Sequence, residues 1–325
     1  MAEHYLEPVA GSLRAAGLAT ETVALPPGEA SKTLAEAGRL YDRMLRAGLD
    51  RGSVAVGLGG GMITDLAGFV AATYMRGITW IAVPTSLLGQ VDAGVGGKTG
   101  VDHPECKNLI GAFHQPAVVL ADVGALATLS DEELRTGLAE VVKHAMIRDE
   151  RLMARLERDA DALLARDPAV CEAVVARNVQ IKAEVVSADE REGGLRRILN
   201  YGHTIGHAIE SLAVEAAGRV AGMSVTHGRA VALGMVAEAR IAERRGLLSS
   251  EAAHRQRDLL ARFGLPVALE TLLDADRCLG IMRHDKKAEA VRLRFVLPEA
   301  VGSVCQADDV TDEEIRDALA LLGGV

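Results

Sequence analysis

Short β-like runs alternating with stretches of helical periodicity constrain the first third of this chain more than any other feature. Parallel strands need a crossover between them, so the alternation specifies an α/β fold with a parallel sheet. Tyr5–Ala16 carries leucine and alanine at helical intervals, Thr20–Leu25 is a β-like run ending at Pro26-Pro27-Gly28, and Lys32–Ala47 is helical with Leu34, Leu40 and Leu45 on its apolar side. Val54–Leu58 runs into Gly59-Gly60-Gly61, Thr79–Val83 runs into Pro84-Thr85-Ser86, and Val118–Ala121 is the last strand of this half. The first recognisable piece is a helix, whereas nucleotide-binding α/β domains open on a strand, which predicts that one or two sheet elements are missing.

Beyond Ala121 the character changes to long amphipathic helices. Glu133–Ile147, Glu150–Ala165, Pro168–Val186, Leu199–Ala213 and Ala230–Arg244 show 3.6-residue apolar spacing. Ser130 followed by Glu133 is a capping-box signal, and it places the boundary between an α/β domain, 1–129, and a mainly helical domain, 130–325. A β-like pair, Arg292–Leu297 and Gly302–Cys305, and a final helix from Thr311 close the chain.

Composition narrows the function classes. The 325 residues suffice for two domains of ordinary size. No apolar run approaches the ~18 residues of a membrane span, and the opening residues lack a signal peptide's basic-then-apolar pattern, which predicts a cytoplasmic protein. Cys106, Cys171, Cys278 and Cys305 lie far apart without CxxC spacing, arguing against a disulfide framework or a thiolate zinc site. A formal net charge of −9 argues against nucleic acid or an anionic membrane as partner. A small anion still fits, since a local cationic cluster acts within a Debye length of about 8 Å.

Chemistry concentrates in a few stretches. Gly59-Gly60-Gly61 after a strand lets backbone amides approach a pyrophosphate at the following helix N-terminus, or makes only a tight turn. Asp92–Gly100 resembles a P-loop superficially, but Ala93 stands where GxxxxGK[ST] needs its first glycine, so an NTPase reading fails. What survives is a flexible glycine-rich segment presenting Lys98, with Lys107-Asn108 after it and Arg76 before it, cations suited to an anionic substrate. Asn200–Glu210 places two imidazoles and a carboxylate at helical spacing. His203 and His207, at i and i+4, can share a metal ion or be satisfied core histidines, and spacing alone does not choose.

In order along the chain, Gly28-Glu29 with Lys32, Gly59–Phe69, Tyr74–Gly77, Pro84–Leu88, Val91-Asp92, Gly96–Gly100, Lys107–Phe113, Gly137–Lys143, Asp189–Glu192, Asn200–Glu210, His227-Gly228 and Asp285–Lys287 resemble the 3-dehydroquinate synthases of the sugar phosphate cyclase family. The resemblance covers nearly the whole chain. It implies a Rossmann-like NAD domain followed by a helical metal-binding domain, and a lyase of the shikimate pathway that cyclises DAHP, a seven-carbon sugar acid phosphate, to 3-dehydroquinate. NAD would act catalytically with a divalent metal, zinc or alternatively cobalt. The implied metal ligands are Glu140, His203 and His227, which moves His207 from the metal to substrate and proton transfer. Lys98, Asn108, Lys143, Lys182, Glu192, Arg196, Asn200 and Lys286 would join His207 in the substrate pocket. Glu29, Lys32, Gly60, Gly61, Asp65, Thr85, Ser86, Asp92, Lys107 and Thr128 match NAD-holding positions. Arg76 matches an arginine that reaches the neighbouring subunit's phosphate, implying a homodimer.

The sequence departs from the family pattern in three places. The chain begins about where the family has already laid down its first strands and a nucleotide-touching loop, which predicts that part of the NAD site is absent; Arg229 stands where glutamate is usual beside His227, and would weaken metal binding if it faces the site and do little if it faces solvent; and Ser86 replaces a threonine. The rival readings are another cyclase such as aminodehydroquinate synthase, a metal-dependent polyol dehydrogenase, and a non-catalytic paralogue. Arg196 suits a carboxylate, which disfavours 2-deoxy-scyllo-inosose synthase, whose hexose phosphate lacks one.

Overall fold

The computed structural model describes every residue except Glu105, 216–218, 221–222, 286–292 and 324–325, with side chains left out at 214–215 and 284–285. Lys286, Lys287 and Arg292 therefore lie outside the described residues. The chain divides into two compact units, Met1–Glu133 and Leu134–Val325.

The first unit runs α1 (Ala2–Ala15), α2 (Leu34–Arg46), β1 (Val54–Gly59), α3 (Gly61–Thr73), β2 (Thr79–Pro84), β3 (Lys98–His103), β4 (Cys106–Phe113) and β5 (Val118–Val119). Thr33 starts α2 by accepting the Glu36 N–H at 3.1 Å. Strands β1, β2 and β5 pair in that order, all parallel, from Val54 opposite Thr79 to Gly59 opposite Pro84. Helix α3 is the crossover between β1 and β2, and it packs tightly on β1. A Cβ at Gly59 would lie 2.6 Å from Ile63 Cγ1, so this first glycine of the run serves strand–helix packing. Leu66, Phe69 and Val70 of α3 join Ala37, Val101 and Leu25 in one core, while Trp80, Ala82, Tyr74 and Ile78 form another.

Two expectations for this unit change. Thr20–Leu25 forms no strand; the run finds no sheet edge and instead supplies Leu25 to the apolar core. The segment read as flexible is ordered: a π-helical turn, Gly89–Ala93, leads into the antiparallel hairpin of β3 and β4, with Lys98 opposite Phe113. Its glycines are close-approach positions, since a Cβ at Gly111 would stand 2.4 Å from the Thr99 carbonyl oxygen on the facing strand.

The second unit comprises α4 (Asp131–Arg148, entering from the boundary), α5 (Glu150–Leu164), α6 (Pro168–Ala188), α7 (His203–Glu215), β6 (Arg219–Val220), β7 (Met223–Ser224), α8 (His227–Arg244), α9 (Ser250–Arg262), α10 (Ala275–Asp285), β8 (Phe295–Ala300), β9 (Ser303–Ala307) and α11 (Asp312–Leu322). Helix α4 differs from the amphipathic expectation: Thr136 through Ile147 are all buried, so it is a central helix rather than a surface one. Asp149 and Asp167 cap α5 and α6, each accepting a main-chain N–H at 3.0 Å. Helices α7 and α8 approach through glycines, a Cβ at Gly234 falling 1.9 Å from the Gly202 carbonyl oxygen. Ile205, Ile209, Leu233, Ile241, Phe295, Leu319 and their neighbours form the core around this contact. Among the described residues no helix is long and apolar enough to cross a membrane.

Candidate functional site

Three elements of the helical unit converge on one cluster. Glu140 sits in the middle of α4, His203 opens α7 and His227 opens α8. Their ligand atoms lie within 4.8 Å of one another. Glu140 Oε1 is 3.5 Å from His203 Nε2 and 3.3 Å from His227 Nε2, and Glu140 itself is fully buried. Glycine sets this convergence: a Cβ at Gly228 would stand 2.4 Å from Thr136 Cα, so only glycine lets the start of α8 reach α4 one turn before Glu140.

The far ring nitrogens are anchored. His203 Nδ1 lies 3.1 Å from the Tyr201 carbonyl oxygen, and His227 Nδ1 lies 3.1 Å from Glu210 Oε2. Each imidazole thus donates at Nδ1 and turns Nε2 toward Glu140. Tyr201 and the start of α7 are fixed in turn by the buried Glu238, which accepts the Gly202 N–H at 2.7 Å, and by Gln256, which accepts the Tyr201 hydroxyl at 2.6 Å.

The charges divide unequally. Burial drives His203 down to about 3, against the pull of the Glu140 charge, so its ring is neutral at physiological pH. Burial also works against charge on His227, yet hydrogen bonds to Glu140 and Glu210 outweigh it and lift that ring to about 10. A divalent cation would carry the charge that this proton otherwise brings to Nε2, so proton and metal compete for one nitrogen. One carboxylate and two imidazoles are the donor types and the number that catalytic zinc sites use, and the set fits a divalent ion. Lys143, one turn along α4 and 1% exposed, pairs with Glu140 Oε2.

His207 is exposed, its ring centroid 5.2 Å from that of His203 in an edge-on arrangement, which places it beside the three-residue group rather than within it. With Glu210 and His227 it makes a second, more open group. Asn200 donates to Glu192 Oε1 at 2.8 Å, Glu192 having left-handed backbone with φ 60°. Arg196 is buried, its main-chain N–H held by Asp189 at 2.9 Å and its guanidinium donating to the Glu190 carbonyl oxygen at 2.5 Å. Asp189 also accepts from Gly193 and Gly194, and these main-chain donors, Arg196 first, hold its carboxyl below the usual range. Lys182 is buried on α6. The Arg229 guanidinium donates to the Ser224 carbonyl oxygen at 2.8 Å in an exposed hydrogen bond.

In the first unit Lys32 ties three segments together. Its Nζ lies 2.7 Å from Asp65 Oδ2, 2.5 Å from Asn108 Oδ1 and 3.3 Å from Glu29 Oε1. Burial opposes its charge, but Asp65 and Glu29 prevail and raise it above the ordinary lysine value. Asn108, expected with the substrate residues, thus stands beside nucleotide candidates, with φ 55° and its N–H on Asp102. Gly60 caps the start of α3; Ser86 accepts the Gly89 N–H at 3.1 Å, and a Cβ at Gly60 would reach to 3.4 Å of that same hydroxyl. Thr85 is buried and donates its main-chain N–H to Gly59, Asp92 lies in the π turn, and a Cβ at Gly61 would touch Ala93 at 3.0 Å. Thr128 shares a hydrogen bond of 2.8 Å with Tyr5, a partner that sequence reasoning did not foresee. Lys98 and Lys107 are exposed, as is Arg76, which follows Met75 in left-handed backbone. Glu210 is the carboxylate at the end of the two-histidine stretch, and its phase, seven residues after His203, is the sequence signal that puts it on the same helix face.

The fold, the site and the relatives that the chain matches together place it among the sugar phosphate cyclases. Residues 22–136 match the N-terminal and residues 137–288 the C-terminal part of 3-dehydroquinate synthase. The chain belongs to the 3-dehydroquinate synthase family. It is 48% identical over 319 residues to the 3-dehydroquinate synthase of Symbiobacterium thermophilum, covering 98% of this chain and 87% of that protein. Among solved structures it is similar to 2-epi-5-epi-valiolone synthase from Streptomyces hygroscopicus with NAD+ and Zn2+ bound, at TM-score 0.89 and 31% identity over 99% of this chain and 88% of that one. A 2-deoxy-scyllo-inosose synthase complexed with carbaglucose-6-phosphate, NAD+ and Co2+ superposes at TM-score 0.80 with 28% identity, covering 92% of this chain and 82% of that one.

Proposed function

We propose that this protein cyclises DAHP to 3-dehydroquinate with elimination of phosphate, a step of the shikimate pathway toward aromatic amino acids, acting in the cytoplasm as a homodimer. The observation that carries the reading is the Glu140, His203 and His227 donor set, built on a fully buried Glu140, in a chain of this family. When bound, NAD would accept a hydride from the carbon that bears one substrate hydroxyl and later give it back, and a divalent ion, zinc with cobalt as the alternative, would act as the Lewis acid on that hydroxyl.

The chain's own residues do the rest. Glu140, His203 and His227 would hold the ion, with Lys143 paired to Glu140 Oε2. Lys98, Lys143, Lys182, Arg196 and Lys286 supply the cations for phosphate and carboxylate, and Asn108, Asn200 and Glu192 position substrate hydroxyls. Arg76, exposed, serves the partner subunit's phosphate. The ketone made at the oxidised carbon acidifies the neighbouring C–H; as that proton leaves, the C–O bond to phosphate breaks and phosphate departs with the electron pair. Reduction of the ketone, ring opening and intramolecular aldol closure follow, with His207 moving protons at the substrate oxygens. Glu29, Lys32, Gly60, Gly61, Asp65, Thr85, Ser86, Asp92, Lys107 and Thr128 hold the nucleotide, a role supported by the start of α3 after Gly60, where main-chain N–H groups favour phosphate.

The deciding assay is phosphate release from DAHP with catalytic NAD and added zinc. Linear release without growth of NADH absorbance is expected. NADH rising in step with substrate loss would show a dehydrogenase instead.

A further inference from the structure

We infer that Glu210 is a positioning residue for the metal site, its carboxylate holding His227 by Nδ1 so that Nε2 faces Glu140. The inference rests on the reading that Glu140, His203 and His227 hold a divalent ion. Three observations carry it. The first is geometric: Glu210 Oε2 is 3.1 Å from His227 Nδ1 while Glu140 Oε1 is 3.3 Å from Nε2, so the two carboxylates grip opposite edges of one ring.

The second is what His227 lacks elsewhere. It is the first residue of α8, where the preceding Thr226 makes no side-chain cap, and its side chain is 31% exposed against 12% for His203. The more exposed ring at a helix start needs an outside anchor to keep one orientation. The third is the parallel at His203, whose Nδ1 meets the Tyr201 carbonyl oxygen at 3.1 Å, so both imidazoles of the group are fixed through the nitrogen not facing Glu140. A carboxylate on the far nitrogen fixes the tautomer and makes the ligand nitrogen more basic.

Glu210 also belongs to a group with His207 and His227 that could itself take an ion, and that use is incompatible with the anchor role, because Nδ1 of His227 cannot carry both its proton and a metal. The test is a zinc titration of the full-length protein against a chromophoric chelator, with wild type beside Glu210→Gln, Glu210→Asp and Glu210→Ala. Spectra of the zinc-loaded, 15N-histidine-labelled proteins are recorded alongside. Glu210→Ala should bind one zinc about 10- to 100-fold more weakly. Glu210→Gln should fall between, since an amide oxygen still accepts from Nδ1, and Glu210→Asp should recover part of the loss. Wild type should show His227 protonated at Nδ1 and bound through Nε2, and Glu210→Ala a second form with those roles exchanged. Unchanged affinity and spectra in Glu210→Ala, or complete loss of zinc from Glu210→Gln, would overturn the inference. Failure of the wild type to bind zinc would overturn it together with the metal assignment beneath it.

Discussion

Substituting Gly234 by alanine should damage the metal site without touching a ligand. A Cβ there would lie 1.9 Å from the Gly202 carbonyl oxygen, 2.8 Å from the Gly206 nitrogen and 2.9 Å from the Gly202 carbonyl carbon, all main-chain atoms that no rotamer change can move. Ordinary Cβ contacts begin near 3.4 Å, so α7 and α8 must separate locally by roughly 1.5 Å. Overpacking of this kind costs about 1–3 kcal/mol where side chains can yield, and the upper end applies against backbone. The displaced segment also carries the Gly202 N–H that Glu238 accepts at 2.7 Å. Because His203 opens α7 and His227 opens α8, the same separation pulls two ligands apart. Zinc affinity should fall at least about tenfold, and the melting midpoint by about 2–4 °C for each kcal/mol lost. Gly280→Ala is the control: it lies on α10 with nothing within 4 Å of the added Cβ, and should be neutral or up to about 1 kcal/mol stabilising. Differential scanning fluorimetry with a zinc titration reads both effects. A Gly234→Ala protein that melts with wild type and binds zinc unchanged would refute the packing argument.

The remaining predictions concern charge. Glu140→Ala, His203→Ala and His227→Ala should each strip the metal, while His207→Ala should retain it and lose turnover by about 10²-fold or more; elemental analysis and phosphate release separate the two, and a metal-free His207→Ala protein would refute the assignment. Lys32→Met removes the donor shared by Asp65 and Asn108 and should cost about 1–3 kcal/mol at neutral pH together with NAD affinity. Since the folded-state value of Lys32 is raised, that stability is present below the ordinary lysine value near 10.4 and fades as pH climbs through the folded one; an Lys32→Met protein matching wild type in urea at pH 7 would contradict it. Glu314, hydrogen-bonded by Arg245 and by Thr311, is held down to about 2. Its contribution, about 1–2 kcal/mol once solvent screening is allowed for, is therefore complete above its unfolded value near 4.3 and lost as pH falls toward 2. Arg245→Gln should lower the urea midpoint at pH 7 but leave it nearly unchanged near pH 2, and an equal loss at both would refute the ion-pair account.

What the sequence by itself determined is what local periodicity carries. Val54–Gly59 and Thr79–Pro84 are strands as expected because each is a short apolar run closed by glycine or proline, and the helix between them, Gly61–Thr73, is the crossover that parallel pairing needs. The long helices from Asp131 onward were legible from their 3.6-residue apolar spacing, and so was the proximity of His203, His207 and Glu210 on one helical face. The glycine-rich stretch Asp92–Gly100 was not: Gly100 looks like flexibility in one dimension, and only the facing strand shows that a Cβ there would lie 2.7 Å from the Ile110 carbonyl oxygen. Thr20–Leu25 likewise has strand-like residues but no strand, because a strand requires a neighbour and sequence pattern does not supply one. The choice among donors was also tertiary. Helical spacing favoured His203 with His207, whereas Glu140 and His227 join His203 only because Gly228 brings α8 against α4 and Gly234 brings it against α7. Distances between elements far apart in the chain are set by packing, and packing decides which of several locally plausible nitrogens and oxygens share a site.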